Sequence, residues 1–311
     1  MTRIGLLLTI TIGGLQAQNA ITLAGAGYGS PHPAQDVAPG QLLVVYLFGI
    51  QTNISPPAQL QTLTGNGWPN TIDGVSVDLV QGNPAVVTPV EVRGIQQTQC
   101  AQPEACAPIT GITIQVPFSL DADSFAKSGL FPELRIGENG KTMGGILLRP
   151  VTDSVHVIDT CDNTLIYLSA AFSIPQVVCA PMVMRGDRLT TVSNPSHAGD
   201  QLAMYLYGLG ATVPGPGPSI IDRLPKPIQQ FQLNFDFRPD ALASPAVTGF
   251  GVTDSPLFTA YTGAGLYLIN FRVPAIPAGI PSCDGVKVTS NLTVTVSGPN
   301  SFDAARICVA P

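Results

Sequence analysis

The chain has 311 residues, of which 32 are glycine and 29 are proline, so about one residue in five is a turn former or a chain breaker. That content excludes a helical bundle, and 45% hydrophobic with only 11% charged residues excludes a highly charged disordered chain. The net charge is -6, and the 14 lysines and arginines are spread singly. No basic face is left for a phosphate backbone, so nucleic acid is not expected as a partner.

The first 18 residues have the pattern of a secretory signal peptide. Arg3 supplies a positive charge ahead of the apolar run 4–15, and small residues around Ala17 follow it, where we expect cleavage. The run is shorter than the roughly 20 apolar residues of a membrane span. No other segment reaches that length without proline, glycine or charge. The sequence therefore predicts no membrane span, and a product that is secreted or held at the cell surface.

Short runs rich in Val, Ile, Leu, Tyr and Phe recur along the chain, and no segment shows a sustained helical period. In chain order, the predicted strands are Leu42–Phe48, Val75–Val80, Val86–Val92, Gly111–Val116, Gly145–Leu148, Leu202–Tyr207, Gln232–Phe237, Leu266–Val273 and Leu292–Val296. Short strands between turn residues, with negligible helix, are typical of β-sandwiches. The predicted fold class is all-β.

An internal repeat predicts the number of domains. The ten residues 40–49 match 199–208 without a gap at an offset of 159, and 114–117 match 271–274 at an offset of 157. Two landmarks at nearly the same offset indicate two related sandwiches in tandem. We assign residues 1–18 to the signal peptide, 19–150 to the first sandwich, 151–180 to a connecting segment and 181–311 to the second sandwich.

The repeated motifs also carry a family resemblance. The glycine-led strand, the pair of short strands around Ile72–Val77 and the closing Val-Pro resemble the repeated C-terminal domain of exported Acidobacteria proteins of the Solibacter and Bryobacter type. Residues 263–274 are the part most similar to that domain. The domain is in turn similar to the immunoglobulin-like TIG sandwiches of cell-surface proteins. The resemblance implies two tandem Ig-like sandwiches and implies no activity.

Six cysteines, an even number in a chain with an export signal, favour disulfides. Fifteen pairings are formally open. We predict the sequence-local pairs because each falls inside one proposed structural unit. A zinc site is the alternative, but the spacings give no C-x-x-C pair and no histidine beside a cysteine pair, so we expect no metal and no cofactor. The predicted disulfides are Cys100–Cys106, Cys161–Cys179 and Cys283–Cys308.

Catalytic motifs are weak. Ser196, His197 and Asp200 supply the residue types of a nucleophile, a base and an acid. Adjacent serine and histidine side chains do not normally face each other from an extended turn, however, and no G-x-S-x-G elbow is present. His32 lies between two prolines, and His156 lies in a strand-like run. The sequence therefore predicts no catalytic residues.

Two candidate binding sites stay open at this level. Trp68, the only tryptophan, is a candidate platform for a sugar ring, and the alternative is a loop tryptophan folded onto its sandwich. Scattered acids could supply oxygen ligands to Ca²⁺, and the alternative is solvated turn acids, because no EF-hand pattern is present. These acids are Asp121, Asp123, Asp159 and Asp162.

We expect a non-enzymatic exported protein with a structural or adhesive role at the cell surface or in the matrix. Its expected partners are other copies of itself, cell-surface components or polysaccharide. A carbohydrate-binding module is the first alternative and needs a row of exposed aromatic residues on one sheet. A secreted hydrolase built from scattered acids is the second. A surface cluster of Trp68, Tyr28 and Tyr261 would favour the carbohydrate-binding alternative.

Overall fold

A computed structural model of the chain describes residues 22–23, 34–55, 58–60, 68–97, 108–160, 162, 179–213, 224–245, 251–263 and 265–310. The predicted signal peptide lies outside these residues. Within them the chain is almost entirely strands and loops, with a single short helix, α1 (Ser124–Ser128). Among the described residues, no helix is long and apolar enough to cross a membrane.

The strands of the first half are β1 (Thr22–Leu23), β2 (Gln35–Val37), β3 (Leu42–Phe48), β4 (Ala58–Leu60), β5 (Thr71–Ile72), β6 (Val75–Gln81), β7 (Val86–Pro89), β8 (Glu91–Gln97), β9 (Thr110–Gln115), β10 (Glu133–Glu138) and β11 (Lys141–Pro150). One sheet has the order β1-β3-β9-β8-β4. The other has the order β2-β11-β10-β6-β5, with β7 also paired to β6. Apolar side chains from both sheets form one core, which includes Leu47, Leu79, Ile112 and Leu134.

The strands of the second half are β12 (His156–Val157), β13 (Val183–Arg185), β14 (Arg188–Leu189), β15 (Gln201–Tyr207), β16 (Thr212–Val213), β17 (Lys226–Pro227), β18 (Gln232–Asp236), β19 (Gly251–Asp254), β20 (Phe258–Gly263), β21 (Leu266–Arg272), β22 (Leu292–Ser297) and β23 (Phe302–Ile307). One sheet has the order β14-β13-β15-β21-β20, with β12 also on β15. The other has the order β19-β18-β22-β23, and β16 and β17 form a separate ribbon. A second core, which includes Phe235, Phe271 and Tyr267, fills the space between the sheets.

Both halves follow the strand order of an immunoglobulin-like sandwich. In that fold, the first, second, fifth and fourth strands form one sheet, and the third, sixth and seventh form the other. In the first half these two sets are β1, β3, β9, β8 and β6, β10, β11. In the second half they are β13, β15, β21, β20 and β18, β22, β23. The all-β, two-sandwich prediction is therefore confirmed. The predicted run Val86–Val92 is wrong as a single strand, because β7 belongs to one sheet and β8 to the other. Pro89 cannot donate a ladder hydrogen bond, and the chain crosses between the sheets beside it.

The two sandwiches also begin and end in the same way. Val37 pairs in parallel with Pro150 in the first sandwich, and Ser196 pairs in parallel with Val309 in the second. Ser196 comes 159 residues after Val37, and Val309 comes 159 residues after Pro150. The same offset relates the bond from the Val151 N–H to the Val37 carbonyl and the bond from the Ala310 N–H to the Ser196 carbonyl. The repeat in the sequence is thus a repeat of strand register.

The repeated glycine and the repeated Val-Pro corner contact each other. In the first sandwich the Gly40 N–H donates to the Val116 carbonyl at 2.9 Å, and the Val116 N–H donates back to Gln41 at 2.8 Å. Gly199 and Val273 make the equivalent backbone hydrogen bonds in the second sandwich. Both glycines have positive φ, 74° and 85°, which favours glycine at this turn.

The start of the predicted connecting segment lies on the second sandwich. β12 pairs with β15, and Val155 and Val157 enter the second core. The Asp153 carboxylate accepts the N–H groups of Asn300 and Ser301 in the turn between β22 and β23. The chain therefore leaves the first sandwich at Pro150 and joins the second within a few residues, which brings the two sandwiches into contact.

Candidate functional site

Ser196, His197 and Asp200 form the turn before β15 and are not arranged as a catalytic group. Ser196 is completely buried, and its hydroxyl donates to the Cys308 carbonyl at 3.3 Å. The Asp200 Oδ2 atom accepts the His197 backbone N–H at 2.8 Å and an Arg185 N–H at 3.0 Å. These bonds, the His197 N–H first, lower the pKa of the Asp200 carboxyl. The hydroxyl thus lies inside the fold, while the carboxylate holds the turn.

His156 is held between two carboxylates at the edge of the second sandwich. Its Nε2 lies 2.9 Å from Asp162 Oδ2, and its Nδ1 lies 3.2 Å from Asp303 Oδ2. These bonds, Asp162 first, raise the pKa of His156 to about 10, so the ring is a cation at neutral pH. A protonated imidazole has no free nitrogen to accept a proton, so His156 is not available as a general base. His32 lies outside the described residues.

The four candidate calcium ligands lie in two separate places. Asp121 and Asp123 belong to the corner around α1 in the first sandwich, where Lys127 Nζ lies 2.9 and 2.7 Å from the two Asp121 oxygens. Asp159 and Asp162 belong to the second sandwich, where the Asp159 N–H donates to Asp162 at 3.0 Å. Within the described part of the chain, no group of three or more acids, histidines or cysteines is placed to hold a metal ion.

Trp68 is half-buried, and one face of its ring is covered. The guanidinium carbon of Arg93 lies 3.8 Å from the ring centroid, a cation–π contact. Arg93 is itself buried, with Nη2 donating to Gln115 Oε1 and lying 2.7 Å from a Glu91 oxygen. The indole therefore has at most its other face available for a ligand. Tyr28, the second residue of the expected aromatic cluster, lies outside the described residues.

Gln115 continues this network into the second sandwich. Its Nε2 donates to Tyr261 Oη at 2.7 Å, and the Gly265 N–H donates to the same oxygen at 3.1 Å. Gln115 and Tyr261 are both buried, so these bonds are shielded from water. Trp68, Arg93, Gln115 and Tyr261 thus form a chain of contacts from a loop of the first sandwich to the second. Tyr261 is therefore buried where the two sandwiches meet, and it is not part of a surface cluster with Trp68.

Apolar contacts surround the polar part of the junction. The Phe118 ring meets Tyr261 edge-on, with centroids 5.3 Å apart, and lies over Gly40, where a Cβ would be 2.3 Å from the ring. Leu42 lies against Gly265, where a Cβ would be 2.4 Å from the leucine Cγ. Leu42 also closes an apolar cluster on the second sandwich, formed by Ile158, Met182, Tyr205, Tyr207 and Leu266. We define the junction as the contacts that Leu42, Gln115 and Phe118 make with the second sandwich.

The sequence motifs include Leu42 and Gln115 as strand residues, but they do not mark these residues or Phe118 as contacts between the sandwiches. A signal is nevertheless present in the repeat, because the second copy has Gln201 in the place of Leu42 and Arg272 in the place of Gln115. Both of these second-copy residues are exposed. At both positions, the residue that contacts the other sandwich is buried and its counterpart in the second copy is polar and exposed.

One of the three predicted disulfides falls within the described residues. Cys283 and Cys308 are bonded, with Cα atoms 5.9 Å apart. The bond ties the loop before β22 to the segment after β23. Cys179 is also disulfide-bonded. The pairs Cys100–Cys106 and Cys161–Cys179 stay predictions, because three of their members lie outside the described residues: Cys100, Cys106 and Cys161.

Comparison with known proteins adds little to this geometry. No family model and no curated protein matches the chain. It aligns with an ICAM-5 D1-D4 ectodomain fragment at 10% identity and a TM-score of 0.23, over 94% of this chain and 53% of that one. It aligns with the plexin A4 full extracellular region at 9% identity and a TM-score of 0.19, over 89% of this chain and 26% of that one. A marsupial T cell receptor aligns at 10% identity and a TM-score of 0.18, over 95% of this chain and 73% of that one.

The chain spans about half the length of the ICAM-5 fragment. The immunoglobulin-like assignment stands on the strand order of the two halves.

Proposed function

We propose that this protein is a non-enzymatic exported protein with a structural or adhesive role at the cell surface or in the matrix. One observation carries the proposal: three of the side chains that the sequence offers as catalytic candidates are already bonded into the fold. The Ser196 hydroxyl is buried against a carbonyl, Asp200 holds a turn, and His156 is a cation between two acids. A nucleophile or a general base needs a free lone pair at a reacting atom.

Export is supported by the disulfide chemistry. A Cys283–Cys308 bond and a bonded Cys179 suit an oxidising compartment, because thiols are kept reduced in the cytosol. The predicted signal peptide agrees with this location.

A structural role is supported by the junction. Its buried hydrogen bonds and apolar contacts join the sandwiches end to end. An adhesive protein of this kind binds through loops and sheet surfaces that many residues build together, and only a few of them contribute most of the affinity.

The test is turnover by the purified full-length mature protein on panels of glycan, peptide and ester substrates, beside its binding to cells, polysaccharide and itself. We expect binding without turnover.

Asp200→Ala is expected to lower the melting temperature, because the His197 N–H and Arg185 lose their acceptor, and to leave binding unchanged. Hydrolysis that is abolished by His197→Ala or Asp200→Ala would overturn the proposal in favour of a hydrolase.

A further inference from the structure

An open groove of about 680 Å³ lies on the second sandwich and shares no lining residue with the junction. Three stretches form its walls: 226–232, which leads into β18; 255–259, which leads into β20; and 297–299, which follows β22. The volume is in the range of small-molecule sites.

Three glutamines line the groove with unused amide groups. The side chains of Gln229, Gln230 and Gln232 make no hydrogen bond to the described part of the chain. Two glutamines elsewhere are used by the fold: Gln97 donates to a carbonyl and a hydroxyl, and Gln115 bonds across the junction. Each amide offers two N–H donors and an acceptor oxygen. The groove therefore concentrates neutral hydrogen-bonding groups that the fold itself does not use.

The rest of the lining is nearly neutral and partly apolar. Among the described lining residues, Lys226 carries the one charge and no carboxylate is present, so the groove is unsuited to a metal ion or a strongly cationic ligand. The buried ring of Phe231, the half-buried ring of Phe258 and three prolines supply apolar surface. A matching ligand has many hydroxyl groups, little charge and C–H faces that pack on aromatic and proline rings.

An extended peptide fits this site less well. A peptide gains most of its affinity by pairing with a free strand edge. β18 lies between β19 and β22 and has no free edge. On β20, the Tyr261 N–H already donates to the Pro225 carbonyl at 2.7 Å.

We infer that this groove binds a segment of a neutral oligosaccharide, with the amides of Gln229, Gln230 and Gln232 on its hydroxyl groups and Phe258 against a C–H face. The inference rests on the proposed function, since it names the partner of an adhesive protein. It places recognition on the second sandwich and away from Trp68.

The test is affinity electrophoresis of the full-length mature protein in gels that contain xyloglucan, galactomannan, soluble β-glucan or dextran. The variant Gln230→Ala/Gln232→Ala removes two groove amides. Gln201→Ala is the matched control, because Gln201 is an exposed glutamine that begins β15 as Gln232 begins β18, and it does not line the groove. Melting temperatures show whether each variant is folded.

Retardation of the wild type and of Gln201→Ala by at least one of these polysaccharides, with about tenfold or greater weakening in the groove variant, is the expected result. No retardation by any of them, or retardation that the groove variant retains, would overturn the inference. Peptide-array binding that the groove variant loses, without polysaccharide binding, would overturn the ligand class. Polysaccharide hydrolysis would instead overturn the proposed function and leave groove binding to be judged by the same variants.

Discussion

At the scale of single residues, carboxylates hold the loops of the second sandwich. Asp284 Oδ1 accepts the backbone N–H groups of the three residues 286–288, and Asp240 Oδ1 accepts those of Thr289 and Ser290. Hydrogen bonds to the ionised form lower the pKa of both acids, through the Val288 N–H first for Asp284 and the Thr289 hydroxyl first for Asp240. Both carboxylates are therefore loop anchors of the second sandwich.

Gly208 ends β15 at a place where no larger residue fits. Its φ is +74°, and a Cβ would lie 1.9 Å from the Ser154 carbonyl oxygen. Gly186 has a φ of +63°, and no atom of the described residues lies within 4 Å of where its Cβ would be, so it is the matched control. We expect Gly186→Ala to cost about 1–2 kcal/mol of unfolding free energy from the backbone alone, and Gly208→Ala to cost clearly more. Equal losses in urea unfolding would contradict the close approach of Ser154.

His156 gives the molecule a defined response to alkaline pH. Because its folded-state pKa of about 10 exceeds the ordinary 6.5, its charge contributes stability that is complete below about pH 6.5 and is lost as the pH rises through about 10. The stability difference between the wild type and His156→Gln should therefore shrink across this window. Urea unfolding at pH 6, 8 and 10 measures it, and a difference that does not vary with pH would contradict the ion pairs with Asp162 and Asp303.

At the scale of elements, much of the fold could be predicted from the sequence, because period-two patterns and turn glycines are local. β3 is predicted residue for residue, and β6, β15, β21 and β22 within one or two residues. β10 and β23 were missed, because glycine or charged residues interrupt their apolar pattern. The sequence also does not predict contacts between residues that are far apart in the chain. The Thr293 hydroxyl on β22, for example, is buried and donates to the carbonyl of Ala241. Ala241 belongs to a loop that covers the outer face of β22.

The Cys283–Cys308 bond should contribute measurably to the stability of the second sandwich. The two cysteines are 25 residues apart, and closing a loop of that length is worth about 3.5 kcal/mol in the chain-entropy model. We expect Cys283→Ala/Cys308→Ala to lose about that much unfolding free energy in urea, with the other four cysteines unchanged. A loss well below 1 kcal/mol would show that the loop before β22 is held by Asp240 and Asp284 without the disulfide.

At the scale of the whole molecule, the junction joins two copies of one sandwich head to tail. The end of the first sandwich that carries the Gly40 turn meets the end of the second that carries the β20–β21 turn. The Gly199 turn of the second sandwich lies at its opposite end, beside Gln201 and Arg272. The differences between the two copies mark the junction residues of the first sandwich, but the repeat does not predict which end of the second sandwich they contact.

Removing the Tyr261 hydroxyl should weaken this junction selectively. In Tyr261→Phe, Gln115 and the Gly265 N–H lose a buried acceptor, which costs about 1–3 kcal/mol of unfolding free energy. Tyr267→Phe is the matched control, because the Tyr267 hydroxyl bonds the Gly210 carbonyl within the second sandwich. We expect both variants to lower the melting temperature in calorimetry. Destabilisation that spreads to the first sandwich is expected only in Tyr261→Phe, and the same effect in Tyr267→Phe would contradict the assignment.

We expect the junction to hold the two sandwiches in one orientation relative to each other. The most direct test is the measurement of residual dipolar couplings for backbone amides of both sandwiches in the intact protein. We expect a single alignment tensor to fit both sandwiches in the wild type and in Tyr267→Phe, and we expect Tyr261→Phe to require two tensors of different magnitude. Two different tensors in the wild type would contradict it.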